Sequence, residues 1–129
     1  MEGKDVSKKV VLAVDDDALV LKMYERIFES EGIQTLVARN GEEGLEMIKE
    51  HKPDFVVLDI RMPKLDGIEV LKRMRKDKGM KDTPVLILTN YDEAEYRETT
   101  EKLGALDFLV KTNVDPNELA KRVSGYLSK

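Results

Sequence analysis

Apolar residues are concentrated in five short runs, which are separated by longer segments of mixed character. Short runs rich in Val, Ile and Leu, bounded by polar residues, predict strands that are buried on both faces of a sheet. The second run is more polar than the others, which predicts a place at the edge of the sheet. The predicted strands are Val10–Val14, 33–38, Phe55–Leu58, 85–88 and 106–110.

The segments between these runs have the residue spacing of amphipathic helices. In the first of them, Leu19, Met23 and Ile27 lie four positions apart on one helical face. This face, with Val20, Tyr24 and Phe28 beside it, is expected to face the core. Asn40, followed three residues later by Glu43, is typical of a capped helix start. The predicted helices are 18–31, 40–51, 66–78, 92–103 and 115–127.

The fourth predicted helix differs from the others because it has little to bury. Its only apolar residues between positions 92 and 103 are Ala94, Tyr96 and Leu103. Such a helix is either an ordinary solvated surface helix or an element that is held loosely enough to move. The sequence leaves both interpretations open.

Strict alternation of strands and helices predicts an α/β fold, in which helices cover both faces of a parallel sheet through right-handed crossovers. A chain of 129 residues is the usual length of one domain with one core. We therefore expect a single domain over residues 1–129 that begins with a short polar tail at 1–8. No segment for an output domain is expected.

Composition and charge narrow the class of function. The formal net charge is -4, which argues against a direct surface for nucleic acid or for an anionic membrane. The chain has no cysteine, so it has neither disulfides nor thiolate metal ligands. No apolar run approaches the ~20 residues of a membrane span. A reducing cytoplasm is the expected location.

Residues suited to phosphate or metal chemistry follow four of the predicted strands. Asp15 and Asp16 follow the first strand, Asp59 the third, Thr89 the fourth and Lys111 the fifth. Because the carboxyl ends of parallel strands meet at one edge of a sheet, these side chains are expected to converge there. Clustered carboxylates need a counter-charge, and all-oxygen ligation suits Mg²⁺ or Mn²⁺.

This set of residues favours a carboxylate nucleophile that receives a phosphoryl group. Asp59 would attack phosphorus to form an acyl phosphate, while the cation and Lys111 neutralise the phosphoryl oxygens. Each residue also has a plain structural interpretation. The acidic triplet at 15–17 could be a turn and a helix cap, and Thr89 and Lys111 could be an ordinary turn residue and a solvated lysine.

Because these residues follow the strands at these positions, the chain from about Lys9 to Leu127 closely resembles the receiver domain of two-component response regulators. The resemblance implies a flavodoxin-like three-layer sandwich, whose five parallel strands follow the order 2-1-3-4-5. It implies that Asp59 is the phosphoacceptor and that Asp16 binds Mg²⁺ directly, with Asp15 as its partner. It also implies that the backbone carbonyl of Arg61 is a metal ligand.

The resemblance also implies roles for residues on the fourth and fifth strands. Thr89 matches the hydroxyl of the family's conformational switch, Phe108 matches the switch aromatic, and Lys111 matches the family's lysine. Two positions depart from the pattern: Thr112 stands where proline usually follows that lysine, and Asn90 stands where a small residue is usual. Because a non-proline cis bond costs ~3 kcal/mol, we expect the bond after Lys111 to be trans.

Three functions are compatible with the sequence. The first is a signalling switch, not an enzyme, that is phosphorylated by a histidine kinase or histidine phosphotransfer protein. Its output would be a protein partner or a homodimer through the face at 92–127, where Lys102, Asp107 and Arg122 carry both charge signs. The second is an aspartyl-phosphate phosphatase of the haloacid dehalogenase type, but Leu19 stands where that class needs threonine. The third is a pseudo-receiver that only binds proteins.

Overall fold

A single parallel sheet organises the fold, and its strand order is β2-β1-β3-β4-β5. The structure, a computed structural model, describes residues 8–128, so most of the predicted polar tail lies outside the described residues. Within that range the strands are β1 (Val10–Val14), β2 (Gln34–Ala38), β3 (Phe55–Leu58), β4 (Val85–Thr89) and β5 (Asp107–Val110). The predicted α/β class and the strand order implied by the resemblance are both confirmed.

Five α-helices connect and follow the strands within residues 8–128. They are α1 (Ala18–Glu29), α2 (Gly41–His51), α3 (Gly67–Lys76), α4 (Ala94–Lys102) and α5 (Pro116–Leu127). All five are slightly shorter than predicted, and α1, α3 and α4 end earlier than predicted because local backbone geometry stops them. For example, α1 ends at Glu29, and Gly32 then adopts a positive φ of 78° while the N–H of Ile33 bonds back to Phe28 O.

The core has two halves, one on each face of the sheet. Along β1, Val11 and Ala13 face the half formed with α1 and α5, while Leu12 and Val14 face the half formed with α3. The prediction that Leu19 faces this core is wrong, because its side chain is 76% exposed. The predicted residues Tyr24, Ile27 and Phe28 are buried, and Leu21 is buried with them.

Helix α4 is as sparsely packed as the sequence predicts. Among its described residues only Thr100 is fully buried, and the Thr100 hydroxyl donates to the carbonyl of Tyr96 within the helix. Glu93 occupies the N-cap position, but its side chain makes no capping hydrogen bond. Few of the interactions that usually hold a helix on a sheet are therefore present here.

None of the helices in the described part of the chain is both long enough and apolar enough to cross a bilayer.

Candidate functional site

The strand register brings the predicted carboxylates together at the carboxyl edge of the sheet. Val14 pairs with Leu58, so the next residues, Asp15 and Asp59, leave neighbouring strands side by side. The N–H of Asp59 donates to the carbonyl of Val14 at 3.0 Å, which extends the ladder by one bond. Strand β1 has β2 on its other side, so this is the point at which strand order reverses.

Three carboxylates form a cluster suited to a hard cation. Asp15, Asp16 and Asp59 each offer an oxygen, and these oxygens lie within 4.8 Å of one another. Asp15 and Asp59 are 1% and 6% exposed, whereas Asp16 faces solvent. Three oxygen donors with one side open to water fit a divalent ion such as Mg²⁺, which keeps part of its hydration shell in proteins.

Asp17 confirms the helix-cap interpretation of the acidic triplet. Its side chain caps α1 by accepting the N–H groups of Leu19 and Val20 at 2.9 and 3.3 Å. Its own N–H donates to Asp15 Oδ1 at 3.0 Å. The capping residue therefore also orients the first carboxylate of the cluster.

Lys111 supplies the positive charge inside the site. It begins a short 3-10 turn after β5, and its Nζ lies 2.5 Å from Asp15 Oδ2 and 3.2 Å from Asp59 Oδ2. Burial lowers the pKa of Lys111, but its hydrogen bonds and charge interactions with the two carboxylates outweigh burial, and the net pKa is raised. The lysine therefore stays charged. The bond from Lys111 to Thr112 is trans, as predicted.

The environment of Asp59 compensates its negative charge only in part. Burial raises the pKa of Asp59, Lys111 lowers it and the charge of Asp15 raises it again, so the net pKa lies above its usual value. Asp59 Oδ1 accepts the N–H of Ile60 at 2.8 Å, which leaves Oδ2 toward Lys111. A carboxylate whose negative charge is only partly compensated is stabilised when it binds a cation or forms a bond to phosphorus.

Gly67 keeps the loop after β3 folded against Asp59. Its N–H donates to the carbonyl of Ile60 at 2.7 Å, and a Cβ at this position would lie 2.0 Å from the carbonyl oxygen of Asp59. Such an approach is far inside van der Waals contact. Gly67 is therefore required for the position of Asp59 and is more than a turn residue.

Thr89 and Phe108 lie on adjacent strands beside this site. Thr89 ends β4, is completely buried, and its Oγ1 accepts the N–H of Tyr91 at 3.3 Å. Phe108 is only partly buried: it packs against the α3 half of the core, and the Arg97 guanidinium lies 4.6 Å from its ring centre.

The side chain of Arg61 turns away from the carboxylates and toward the loop before α4. Its guanidinium stacks 3.7 Å from the centre of the Tyr91 ring, donates to the Tyr96 hydroxyl at 3.2 Å and pairs with Glu93 at 2.7 Å. The predicted role of its backbone carbonyl as a metal ligand stays a prediction. Nothing in the sequence pattern indicated the partners of its side chain.

A pocket of about 380 Å³ opens over the site. Its polar part is formed by the carboxylates with Arg61 and Lys111, and α1 and α5 supply an apolar wall. Tyr24 is part of this wall, whereas its spacing in the sequence predicts only a core position. Burial, and then the charges of Asp15 and Asp59, raise the pKa of Tyr24, so its hydroxyl stays protonated. Thr89 and Phe108 do not line this pocket.

Comparisons with known proteins agree with this geometry. The family model described as the response regulator receiver domain matches residues 11–124. The alkaline phosphatase synthesis transcriptional regulatory protein PhoP of Bacillus subtilis is 38% identical over 94% of this chain and 49% of its own length. The chain thus spans about half the length of the curated transcriptional regulators that it matches.

Two further relatives match over almost their whole length. Sporulation initiation phosphotransferase F of Bacillus subtilis is 36% identical, with 91% of this chain and 92% of that protein covered. The structure of the Francisella response regulator 1452 receiver domain is 37% identical and superposes with a TM-score of 0.83, covering 94% of this chain and 97% of that one.

Proposed function

Because the chain belongs to the response regulator receiver family, we propose that it is a phosphorylation-activated signalling switch, in which Asp59 receives a phosphoryl group from a phosphohistidine donor. One observation carries this proposal: the ammonium of Lys111 and the carboxylates of Asp15 and Asp16 converge on Asp59. The donor is a histidine kinase or a histidine phosphotransfer protein. The resemblance also implies that the exchange takes place in the cytoplasm.

The transfer is a displacement at phosphorus. A lone pair of an Asp59 carboxylate oxygen forms the new O–P bond as the P–N bond of the donor breaks, and the imidazole nitrogen keeps the electron pair and takes a proton from solvent. Lys111 stands 3.2 Å from Asp59 Oδ2 and neutralises charge on the arriving phosphoryl oxygens. The protein assists its own phosphorylation and the later hydrolysis of the acyl phosphate, and it turns over no separate substrate.

A divalent cation completes this charge balance. The oxygens of Asp15, Asp16 and Asp59, together with the Arg61 carbonyl implied by the resemblance, would hold Mg²⁺ or Mn²⁺, which supplies electrostatic stabilisation of the phosphoryl oxygens. Asp17 and Lys111 both hydrogen-bond Asp15, so one of these ligands is oriented before the cation binds.

Phosphorylation would change the position of Thr89 and, through it, the surface formed by α4, β5 and α5. Within residues 8–128 the buried Thr89 hydroxyl accepts the N–H of Tyr91 at 3.3 Å and makes no other hydrogen bond, so it is available to donate to a phosphoryl oxygen. Movement of Thr89 would change the space beside β5 and the environment of Phe108. The sparsely packed α4 would respond before the better packed elements.

The output surface is the face formed by α4, β5 and α5, within residues 92–127. A groove of about 330 Å³ there is lined by Arg97 and Phe108, beside Leu106, whose side chain is 50% exposed. Arg122 pairs with Asp107 inside the chain at 3.0 Å. A second copy of the chain would have to exchange this pair for an intermolecular one, whereas another protein could bind directly in the groove, which has both charged and apolar residues.

Mass spectrometry after incubation with acetyl phosphate and Mg²⁺ tests the function. We expect one phosphoryl adduct on Asp59, its loss in Asp59→Asn, and its retention in Asp82→Asn, since Asp82 is exposed and precedes β4 at the other edge of the sheet. Steady release of phosphate by the wild type would instead favour the phosphatase. No reaction at all would favour the pseudo-receiver.

A further inference from the structure

The two ends of α4 are held by arginines that come from outside the helix. Hydrophobic burial contributes little, because Thr100 is the only fully buried residue among those described in α4. Partly buried Tyr96 and Leu103 add contacts to the α3 half of the core. The position of this helix therefore depends strongly on the polar contacts at its two ends.

The C-terminal end of α4 is tied to α3 by Arg75. The Arg75 guanidinium donates to the carbonyl of Leu103 at 2.7 Å and to that of Gly104 at 3.3 Å. It also donates to the carbonyls of Lys81 and Thr83 at 3.0 and 2.9 Å. Four hydrogen bonds to the main chain from one partly buried group make this end of the helix the fixed end.

The N-terminal end of α4 is tied to the phosphoacceptor loop by Arg61. Within one guanidinium, Arg61 combines an ion pair with Glu93, a hydrogen bond to the Tyr96 hydroxyl and stacking on the Tyr91 ring. A planar guanidinium can make these three contacts at once, which an ammonium cannot. Arg61, Glu93 and Tyr91 are solvent-exposed and Tyr96 is only partly buried, so this end is the one that can release.

We propose that Arg61 is a positioning residue that couples cation binding at Asp15, Asp16 and Asp59 to the placement of the N-terminal end of α4. The coupling passes through the main chain of residue 61 and its guanidinium, so it uses neither Thr89 nor Phe108. The cation site rests on the proposed function, whereas the contacts between Arg61 and α4 do not.

The direction of the coupling follows from the order of the chain. Arg61 is two residues after Asp59, and the loop between them is held by the 2.7 Å bond from the N–H of Gly67 to the Ile60 carbonyl. A cation bound to Asp59 restrains the main chain at residue 61. Because Arg61 is then already partly ordered, it loses less conformational entropy when its side chain pairs with Glu93. By reciprocity, an engaged Glu93 strengthens cation binding by the same factor.

The chain contains a matched control for the Glu93 contact. Asp92, the preceding residue, pairs with Arg97 at 2.6 Å, and Glu93 pairs with Arg61 at 2.7 Å. Both pairs are about half exposed. Only the Glu93 pair joins α4 to the phosphoacceptor loop, because Arg97 lies within α4 itself.

The test is a Mg²⁺ titration of the full chain followed by NMR and by amide hydrogen exchange. We expect Glu93→Ala to weaken Mg²⁺ binding about threefold, a small factor because exposed ion pairs contribute little. The same variant should lose the Mg²⁺-induced protection of amides in 93–98. Asp92→Ala should change neither. In a Thr89→Ala background, Mg²⁺ should still protect these amides.

Three outcomes would overturn the coupling: equal effects of Glu93→Ala and Asp92→Ala, no effect of either, or no response of amides 93–98 to Mg²⁺ in the wild type. Labelling of Asp59 is measured on the same proteins with acetyl phosphate. A labelled wild type whose Mg²⁺ affinity is unchanged by Glu93→Ala refutes the coupling alone. A wild type that is not labelled but shows the differential Mg²⁺ response refutes the proposed switch while keeping the coupling.

Discussion

The ammonium nitrogen of Lys111 lies 2.5 Å from Asp15 Oδ2, although the two residues are 96 positions apart in the chain. The contact spans the sheet edge from the end of β5 to the end of β1, over the intervening strands β3 and β4. It compensates a carboxylate that is 1% exposed. The same ammonium reaches Asp59, so one lysine compensates the charge of two buried carboxylates.

Replacing Lys111 by methionine should destabilise the protein. Asp15 would keep a buried negative charge without its counter-charge, and we expect the free energy of unfolding to fall by about 2–3 kcal/mol. Urea denaturation in EDTA measures this loss, and added Mg²⁺ should restore part of it. Lys102→Met removes an exposed ion pair with Glu98 and should change stability by less than about 0.5 kcal/mol. Equal losses in the two variants would contradict the assigned role.

Asp59→Asn should stabilise the protein without metal, and the gain should depend on pH. Burial raises the pKa of Asp59 in the fold above that of the unfolded chain, ~3.9. Between these two pKa values the folded state binds more protons, so wild-type stability falls as pH rises through the window. We expect a gain of about 1 kcal/mol for Asp59→Asn at neutral pH, shrinking as pH falls. Denaturation of both proteins in EDTA over this pH range measures the difference in their free energies of unfolding. A difference that does not change with pH would refute the role of the Asp59 charge.

Asp16→Asn should abolish Mg²⁺-dependent labelling while leaving the fold intact. The side chain of Asp16 is exposed, so we expect the stability in EDTA to change by less than about 0.5 kcal/mol. Without its negative charge the cluster retains two carboxylates, both of which are already paired with Lys111. Phosphoryl labelling is measured at several Mg²⁺ concentrations. Labelling at the wild-type level would show that Asp16 is not the metal ligand.

Gly67→Ala should damage the site through sterics alone. The added Cβ would lie 2.0 Å from the Asp59 carbonyl oxygen, so the loop must shift, at a cost of about 2–3 kcal/mol. Gly125→Ala is the control: this helical glycine of α5 has open space around the new Cβ and should gain about 0.5–1 kcal/mol. Thermal denaturation and Asp59 labelling of both variants measure the effect. A fully labelled Gly67→Ala variant of wild-type stability would show that the loop adapts freely.

Sedimentation with and without beryllofluoride distinguishes the two kinds of output. Dimerisation through 92–127 requires the Asp107–Arg122 pair to open or to be shared, since it is closed inside the chain at 3.0 Å. If a dimer forms, Arg122→Ala should weaken it severalfold, and Lys121→Ala, an exposed neighbour, should not. A monomer under both conditions would indicate that another protein, and not a second copy of the chain, binds this face.

Much of the fold followed from local sequence signals. Alternation of apolar runs with amphipathic segments predicted five strands and five helices, and capping at Asn40 was read correctly, since its side chain accepts the N–H of Glu43. The inward face of α1 was misjudged at Leu19, because periodicity alone does not say which of two adjacent stripes meets the sheet. Helix ends were placed too late where backbone turns, and not side chains, stop the helix.

The sequence by itself determined which residues meet in the candidate site, because the residues that follow parallel strands lie at one edge of the sheet. Asp15, Asp16, Asp59 and Lys111 meet there for that reason. Only the tertiary structure decided that Lys111 bridges two carboxylates, that Gly67 lies against the Asp59 carbonyl, and that Arg61 turns toward Glu93. These contacts join loops distant in sequence, and their geometry depends on sheet twist and packing, which no local pattern along the chain encodes.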